Sequence, residues 1–89
     1  MSNSKRSISV ILSEQGVTDL KDTLSLWLKI NSLGHYVNCK SVDPAGVYFH
    51  MFFDFEQSGG ESLEFEVQIP HHYVKAIVCA KDLTKLGFV

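Results

Sequence analysis

The chain has 89 residues, enough for one hydrophobic core but not two, so residues 1–89 are predicted to form a single small globular domain. With 45% hydrophobic and 20% charged residues, the composition excludes a disordered tail and a collagen-like fibre. The formal net charge of -2 has the wrong sign for binding phosphate backbones, which disfavours nucleic acid as a partner.

Three features of the sequence bear on the location of the protein. No apolar stretch approaches the ~20 residues of a membrane-spanning helix. Residues 1–6 lead into a strand-like segment and do not resemble a signal peptide. Cys39 and Cys79 lack CxxC spacing, and two such thiols are typical of a reducing compartment. We therefore expect a cytoplasmic protein without membrane contact.

The first predicted elements are a strand and a helix. Residues 7–12 are β-branched and partly alternating, which predicts a strand that ends at a polar turn over residues 13–16. From Val17 the apolar residues follow helical spacing, with Thr18 as the N-cap and Gly34 at the end. Four residues form the predicted core-facing stripe of this helix: Leu20, Leu24, Trp27 and Leu28.

The predicted helix carries a second apolar stripe, made of Leu26, Ile30 and Leu33, nearly opposite the first. The C-terminal segment or the first strand of the domain would bury this stripe in one interpretation. In the other, the stripe is an exposed patch through which two copies form a homodimer, because contiguous apolar surface usually marks an interaction site.

A three-stranded antiparallel meander is predicted next, with strands at about residues 35–42, 47–56 and 62–69 and turns at residues 43–46 and 57–61. Apolar and polar residues alternate along the second and third strands, so one face is predicted to be buried and the other exposed to solvent. A five-residue loop places four pairs opposite one another: Phe55 and Leu63, Asp54 and Glu64, Phe52 and Glu66, and His50 and Gln68.

The last segment, residues 70–89, fits either a helix or a strand. As a helix it begins at Pro70 and is capped by Gly87, with a stripe formed by Tyr73, Ala76, Ile77, Ala80 and Leu83. As a strand, it would point Val74, Ala76, Val78 and Ala80 inward. We favour the helix over residues 71–86, because its polar residues group on one side. The predicted fold is therefore α+β: strand, helix, three-strand meander and helix, with both helices on one face of an antiparallel sheet.

The strongest chemical feature is the predicted solvent-exposed face of the long hairpin, where several carboxylates surround aromatic residues. Like charges opposite one another destabilise a sheet, so this face either serves only to keep an edge soluble or binds a basic protein surface. The second interpretation makes the chain a small non-enzymatic binding module of the inhibitor, immunity or adaptor type. Its candidate partner-binding residues are Asp54, Glu56, Glu64, Glu66, Phe52 and Tyr48.

No residue pattern predicts catalysis, a metal or a cofactor. The adjacent side chains of His71 and His72 would point about 100° apart on a helix, so they cannot easily coordinate the same metal ion. Cys79 is expected to be a small core residue because no cation is placed to lower its pKa. No Gly-x-Ser-x-Gly elbow and no phosphate-binding glycine loop occurs in the sequence.

Two stretches, SVDPAGVYF at residues 41–49 and GESLEFEVQIP at residues 60–70, loosely resemble the PilZ domain, a bacterial cyclic-dinucleotide-binding barrel. The resemblance implies a small β-barrel with one helix and a degenerate ligand sensor that uses Asp43 and its turn near Lys5 and Arg6. It also requires residues 73–80 to be a strand. The Arg-x-x-x-Arg pair of that family has no counterpart here.

Overall fold

A computed structural model describes residues 7–56 and 59–89, with only the backbone described at Phe55, Glu56 and Ser62. These residues contain two antiparallel sheets and one α-helix. The domain is a small mixed α/β unit, as the composition and patterning predict. Its elements in chain order are β1 (Ser7–Leu12), α1 (Glu14–Leu20), β2 (Lys29–Asn31), β3 (Gly34–Cys39), β4 (Ser41–Asp43), β5 (Phe49–Glu56), β6 (Ser62–Ile69), a 3₁₀ helix (His71–Tyr73), β7 (Val74–Ala80) and a second 3₁₀ helix (Leu83–Leu86).

The predicted single sheet is in fact two sheets. One has the strand order β2-β3-β1-β7 and the other has the order β4-β5-β6. The strand predicted over residues 35–42 is divided, because β3 pairs with β1 whereas β4 pairs with β5. Lys40 lies at the crossing, where its backbone N–H donates to the carbonyl of Phe52 at 2.8 Å. In the described residues the two sheets do not close into the barrel that the PilZ resemblance implies.

The four-stranded sheet is covered on both faces. Val10 and Val37 lie on the face that packs against the buried side of β5, in a cluster that includes Met51 and Phe53. The opposite face is covered by the C-terminal segment, and its cluster contains Ile11, Tyr36, Leu83 and Phe88. Burial on both faces explains why adjacent residues of β1 and β3 are apolar.

The C-terminal segment is held in place by polar contacts as well as by packing. The backbone oxygen of Val89 accepts hydrogen bonds from Lys29 Nζ at 2.6 Å and from Tyr36 Oη at 3.3 Å. Asn31 Nδ2 donates to the carbonyl of Gly87 at 3.0 Å. These bonds fix the segment against β2 and β3, so Phe88 meets Tyr36 edge to face at 5.0 Å.

The predicted helix from Val17 to Gly34 is wrong in its bounds. Ser13 is the N-cap, because its Oγ accepts from the N–H of Gly16 at 3.1 Å. The regular helix ends at Leu20 and irregular turns follow over residues 21–27. Single helical hydrogen bonds persist there, from Leu24 N–H to Leu20 O and from Leu28 N–H to Leu24 O, both at 2.8 Å. The four predicted core-facing residues therefore still reach the core: Leu20, Leu24, Trp27 and Leu28.

The predicted C-terminal helix over residues 71–86 is also wrong, and the strand alternative describes most of it. β7 pairs along β1 from Ser7 opposite Ala80 to Leu12 opposite Val74. Val78 and Ala80 pack against the C-terminal cluster, as the strand alternative requires. The strand is apolar on both faces, which removes the alternation that normally distinguishes a strand from a helix.

Candidate protein-binding face

The long hairpin has the predicted register. Phe55 lies opposite Leu63, Asp54 opposite Glu64, Phe52 opposite Glu66 and His50 opposite Gln68. Phe49, Met51 and Phe53 are buried, whereas Phe52 is half-buried on the other side. The residues on that other side, which we call the outer face, are Ser41, Asp43, His50, Phe52, Asp54, Glu64, Glu66 and Gln68.

Lys40 relieves the predicted repulsion between Asp54 and Glu64. Its Nζ lies 2.9 Å from Glu64 Oε2 and 3.7 Å from Asp54 Oδ2. The Glu64 hydrogen bond, with the charges of both carboxylates, raises the pKa of Lys40, and the same hydrogen bond and charge lower the pKa of Glu64. All three groups are solvent-exposed, so this arrangement orients the carboxylates more than it stabilises the fold.

Glu66 is held by two neighbours on the same face. Its Oε2 contacts His50 Nδ1 and accepts from Gln68 Nε2 at 3.3 Å. The His50 ring also stacks with the Phe52 ring, at a centroid distance of 6.4 Å and an interplanar angle of 26°. Phe52 therefore lies beside two carboxylates of β6 that are held in position: Glu66, directly opposite it, contacts His50, and Glu64, opposite Asp54, contacts Lys40.

A cavity of about 380 Å³ opens between these groups. Aromatic side chains pack together at its base: the rings of Phe53 and Phe65 stack at 5.1 Å, and Trp27 packs on Phe65 at 4.9 Å. The cavity is lined by Lys40, Ser41, Phe52, Phe53, Glu64, Phe65 and Glu66.

Two of the predicted site residues do not join this group. β5 begins at Phe49, so Tyr48 and Val47 precede the strand and are exposed in the bend before it. The side chain of Glu56 lies outside the described residues. Lys40 and His50 also belong to this group, although the sequence patterns predict a role for neither; the predicted register places His50 one pair away from Glu66.

The second apolar stripe is exposed and does not lie on one helix. Leu26 is 79% exposed, Ile30 66% and Leu33 53%. They belong to three segments, namely the turns after α1, strand β2 and the turn between β2 and β3. The interpretation in which the domain buries this stripe is wrong.

The two cysteines differ in environment, and neither forms a disulfide. Cys39 is buried, and burial raises the pKa of its thiol to about 12. Cys79 is exposed on β7, which corrects the expectation that it is a core residue. Within residues 7–56 and 59–89, no three His, Cys, Asp or Glu side chains converge in a way that would hold a metal ion.

None of the helices in the described ranges has the length and hydrophobicity required to span a membrane.

Comparisons with protein-family models, curated proteins and solved structures give no significant match to this chain.

Proposed function

We propose that this chain is a small non-enzymatic protein-binding module, of the inhibitor, immunity or adaptor type, and that its outer face binds a basic surface of another protein. The observation that supports this function is the cavity beside Phe52, which this aromatic side chain lines together with Glu64 and Glu66 of the neighbouring strand. Its two free thiols favour a reducing cytoplasm as its location.

The charge of the outer face favours a basic partner. The face carries the carboxylates of Asp43, Asp54, Glu64 and Glu66, and Lys40 contacts only two of them. A negative surface of this kind accelerates encounter with a positive one and disfavours acidic partners. Because Lys40 and His50 hold Glu64 and Glu66 in position, little side-chain freedom is lost when the partner binds.

An arginine side chain fits the cavity best as an anchor. Its guanidinium group can stack on the face of the Phe52 ring in a cation–π interaction, and two of its N–H groups can donate hydrogen bonds to one carboxylate. Glu66 lies directly opposite Phe52 on β6, and Glu64 lies at the next position on the same face of that strand. Lysine offers a point charge without the planar fork, so it should bind more weakly.

A peptide titration tests this function directly. We expect an arginine-rich peptide to shift the backbone amide resonances of β5 and β6, and a lysine peptide of equal charge to shift them less. The double variant Glu64→Gln with Glu66→Gln should weaken peptide binding at least about tenfold. Its matched control, Glu14→Gln with Asp22→Asn, removes the same charge from α1 and the following turn and should bind as the wild type does.

Capture from the native host then identifies the natural partner. We expect a stoichiometric basic protein that is retained by the control variant and lost by the Glu64 and Glu66 variant. Equal retention by both variants would contradict the proposed surface. Heat released on mixing with a cyclic dinucleotide would instead favour the sensor function that the PilZ resemblance implies, because an acidic face repels phosphates.

A further inference from the structure

We infer that the outer edge of β7 is a self-association surface at which two copies of this chain pair as antiparallel strands. β7 is an edge strand of its sheet, and among the described residues no strand pairs with its outer side. Such an edge presents unpaired N–H and C=O groups, which only another extended chain can satisfy in a ladder.

The four edge strands of the two sheets differ in how well they are protected. β2 and β4 have three residues each, and short edges pair poorly. β6 has eight residues but carries Glu64 and Glu66. β7 has seven residues, VKAIVCA, with Lys75 as its single charge. Of these edges, β7 alone is both long and nearly free of charge.

The sequence of β7 matches a second copy of itself. In an antiparallel pair centred on Ile77, this residue meets its own copy and Lys75 lies opposite Cys79 of the other chain. Ala76 then lies opposite Val78, and Val74 opposite Ala80, so that small and large apolar residues alternate across the pair. No like charges meet.

Pairing β6 with a second copy of itself in the same way brings like charges together. Centring on Phe65 places Glu64 opposite Glu66 of the other copy, and centring on Glu66 places that residue opposite itself. Such pairs are destabilising. A β7 pair would join two four-stranded sheets into one continuous sheet and would cover Ile77, which is 39% exposed in the single chain.

Sedimentation at increasing concentration tests this inference. We expect the wild type to form a dimer in the micromolar range. Ile77→Lys places two lysines at the symmetry axis and should weaken the dimer at least about tenfold, with an unchanged circular dichroism spectrum. The control Ile30→Lys makes the same change on the exposed edge strand β2 and should leave the dimer intact.

A disulfide trap tests the register and does not depend on how Ile77→Lys folds. Residues opposite one another in an antiparallel pair have Cα atoms about 4.5–5.5 Å apart, within reach of a disulfide. Lys75→Cys should therefore form an interchain bond to Cys79 when oxidised. The wild type should not, because its two Cys79 residues would be offset by four residues, about 13 Å along the strand.

Three results would overturn the inference. The first is a wild type that stays monomeric at the highest soluble concentration. The second is a dimer lost in Ile30→Lys but not in Ile77→Lys, which would place the contact at the patch of Leu26, Ile30 and Leu33. The third is a failure of the Lys75→Cys protein to cross-link on oxidation. Since β7 and the outer face belong to different sheets, none of these results bears on the proposed binding of a basic partner.

Discussion

Lys40 connects the fold and the candidate site. Its backbone N–H bonds to Phe52 where the chain passes from one sheet to the other, and its side chain reaches Asp54 and Glu64. The crossing therefore places a cation beside the two carboxylates that face each other across the hairpin. This geometry makes an acidic face compatible with a paired strand register.

Removal of this cation should change the acid titration of the outer face. In Lys40→Gln we expect the pKa of Glu64 to rise toward its ordinary value of 4.5, because the hydrogen bond and the positive charge that lower it are lost. A group with a lowered folded pKa adds stability above its unfolded value, and that stability is lost as the pH falls through the folded pKa. The acid-dependent loss of stability should thus shrink in the variant. Carboxyl-carbon NMR measures the pKa directly.

Lys21→Gln provides the control for that titration, since it removes an exposed lysine from the turn after α1. It should leave the Glu64 titration unchanged. Identical Glu64 titrations in the wild type and in Lys40→Gln would show that the ion pair does not persist in solution.

The carboxylates of the outer face were predictable, whereas their cation was not. Asp54, Glu64 and Glu66 follow from period-two alternation and the length of one loop, which are local signals. Lys40 meets them only because the chain changes sheets beside it, and β4 is too short to show a period of its own. Sequence patterns therefore predict the negative charges of the site but not the lysine that lies among them.

The same contrast holds for whole elements. The hairpin register is predictable because one face of β5 and β6 is apolar and the other is polar, and β1 is predictable because it is rich in β-branched residues. The sequence of β7 does not indicate a strand because the strand is apolar on both faces, with Val78 and Ala80 under the C-terminal segment and Ile77 and Cys79 exposed. A strand of this kind has no alternation to detect.

The predicted bounds of the first helix are wrong for a different reason. Helical spacing of Leu20, Leu24 and Leu28 records only that each meets the core, and successive irregular turns achieve this as well as a regular helix does. The residues that face the core were predictable, but the regularity of the backbone that carries them was not. The cap also differs, because Ser13 belongs to the predicted polar turn whereas in the structure it caps α1.

At the level of elements, α1 packs closely against the 3₁₀ helix His71–Tyr73 that precedes β7, and Gly16 is the contact point. A Cβ at this position would lie 2.8 Å from the carbonyl oxygen of Tyr73 and 3.0 Å from Tyr73 Cβ. Ser13 fixes the same junction, because its N–H donates to Tyr73 O at 2.8 Å. Replacement of a helical glycine by alanine normally stabilises a helix by about 1 kcal/mol. At Gly16 the packing effect on stability is expected to oppose this gain, so a substitution there distinguishes the two.

We expect Gly16→Ala to destabilise the protein by about 1–3 kcal/mol, because the added methyl group forces α1 away from Tyr73. Gln15→Ala changes the neighbouring exposed position and should alter stability by no more than about 0.5 kcal/mol. Urea unfolding of both variants gives the comparison. A Gly16→Ala protein more stable than the wild type would mean that the helix is not held against Tyr73.

At the scale of the whole molecule, the C-terminal segment acts as a third layer. The four-stranded sheet has the three-stranded sheet and α1 on one side, and residues 83–89 on the other. Without that segment, Ile11 and Tyr36 would be open to water although they are 5% and 1% exposed in the folded chain. The segment contains only one short 3₁₀ helix, so its side chains and the bonds from β2 and β3 must hold it in place.

Phe88 is part of that cover, with 2% of its surface exposed and its ring against Tyr36. We expect Phe88→Ala to lower the free energy of unfolding by about 3–5 kcal/mol, as is usual for a buried phenylalanine. Leu86→Ala truncates a side chain in the same segment that is 54% exposed, and it should cost about 0.5 kcal/mol or less. Urea unfolding followed by far-ultraviolet circular dichroism measures both. If the two variants lost equal stability, the segment would not be packed on the sheet, and Tyr36 would have to owe its burial to another part of the chain.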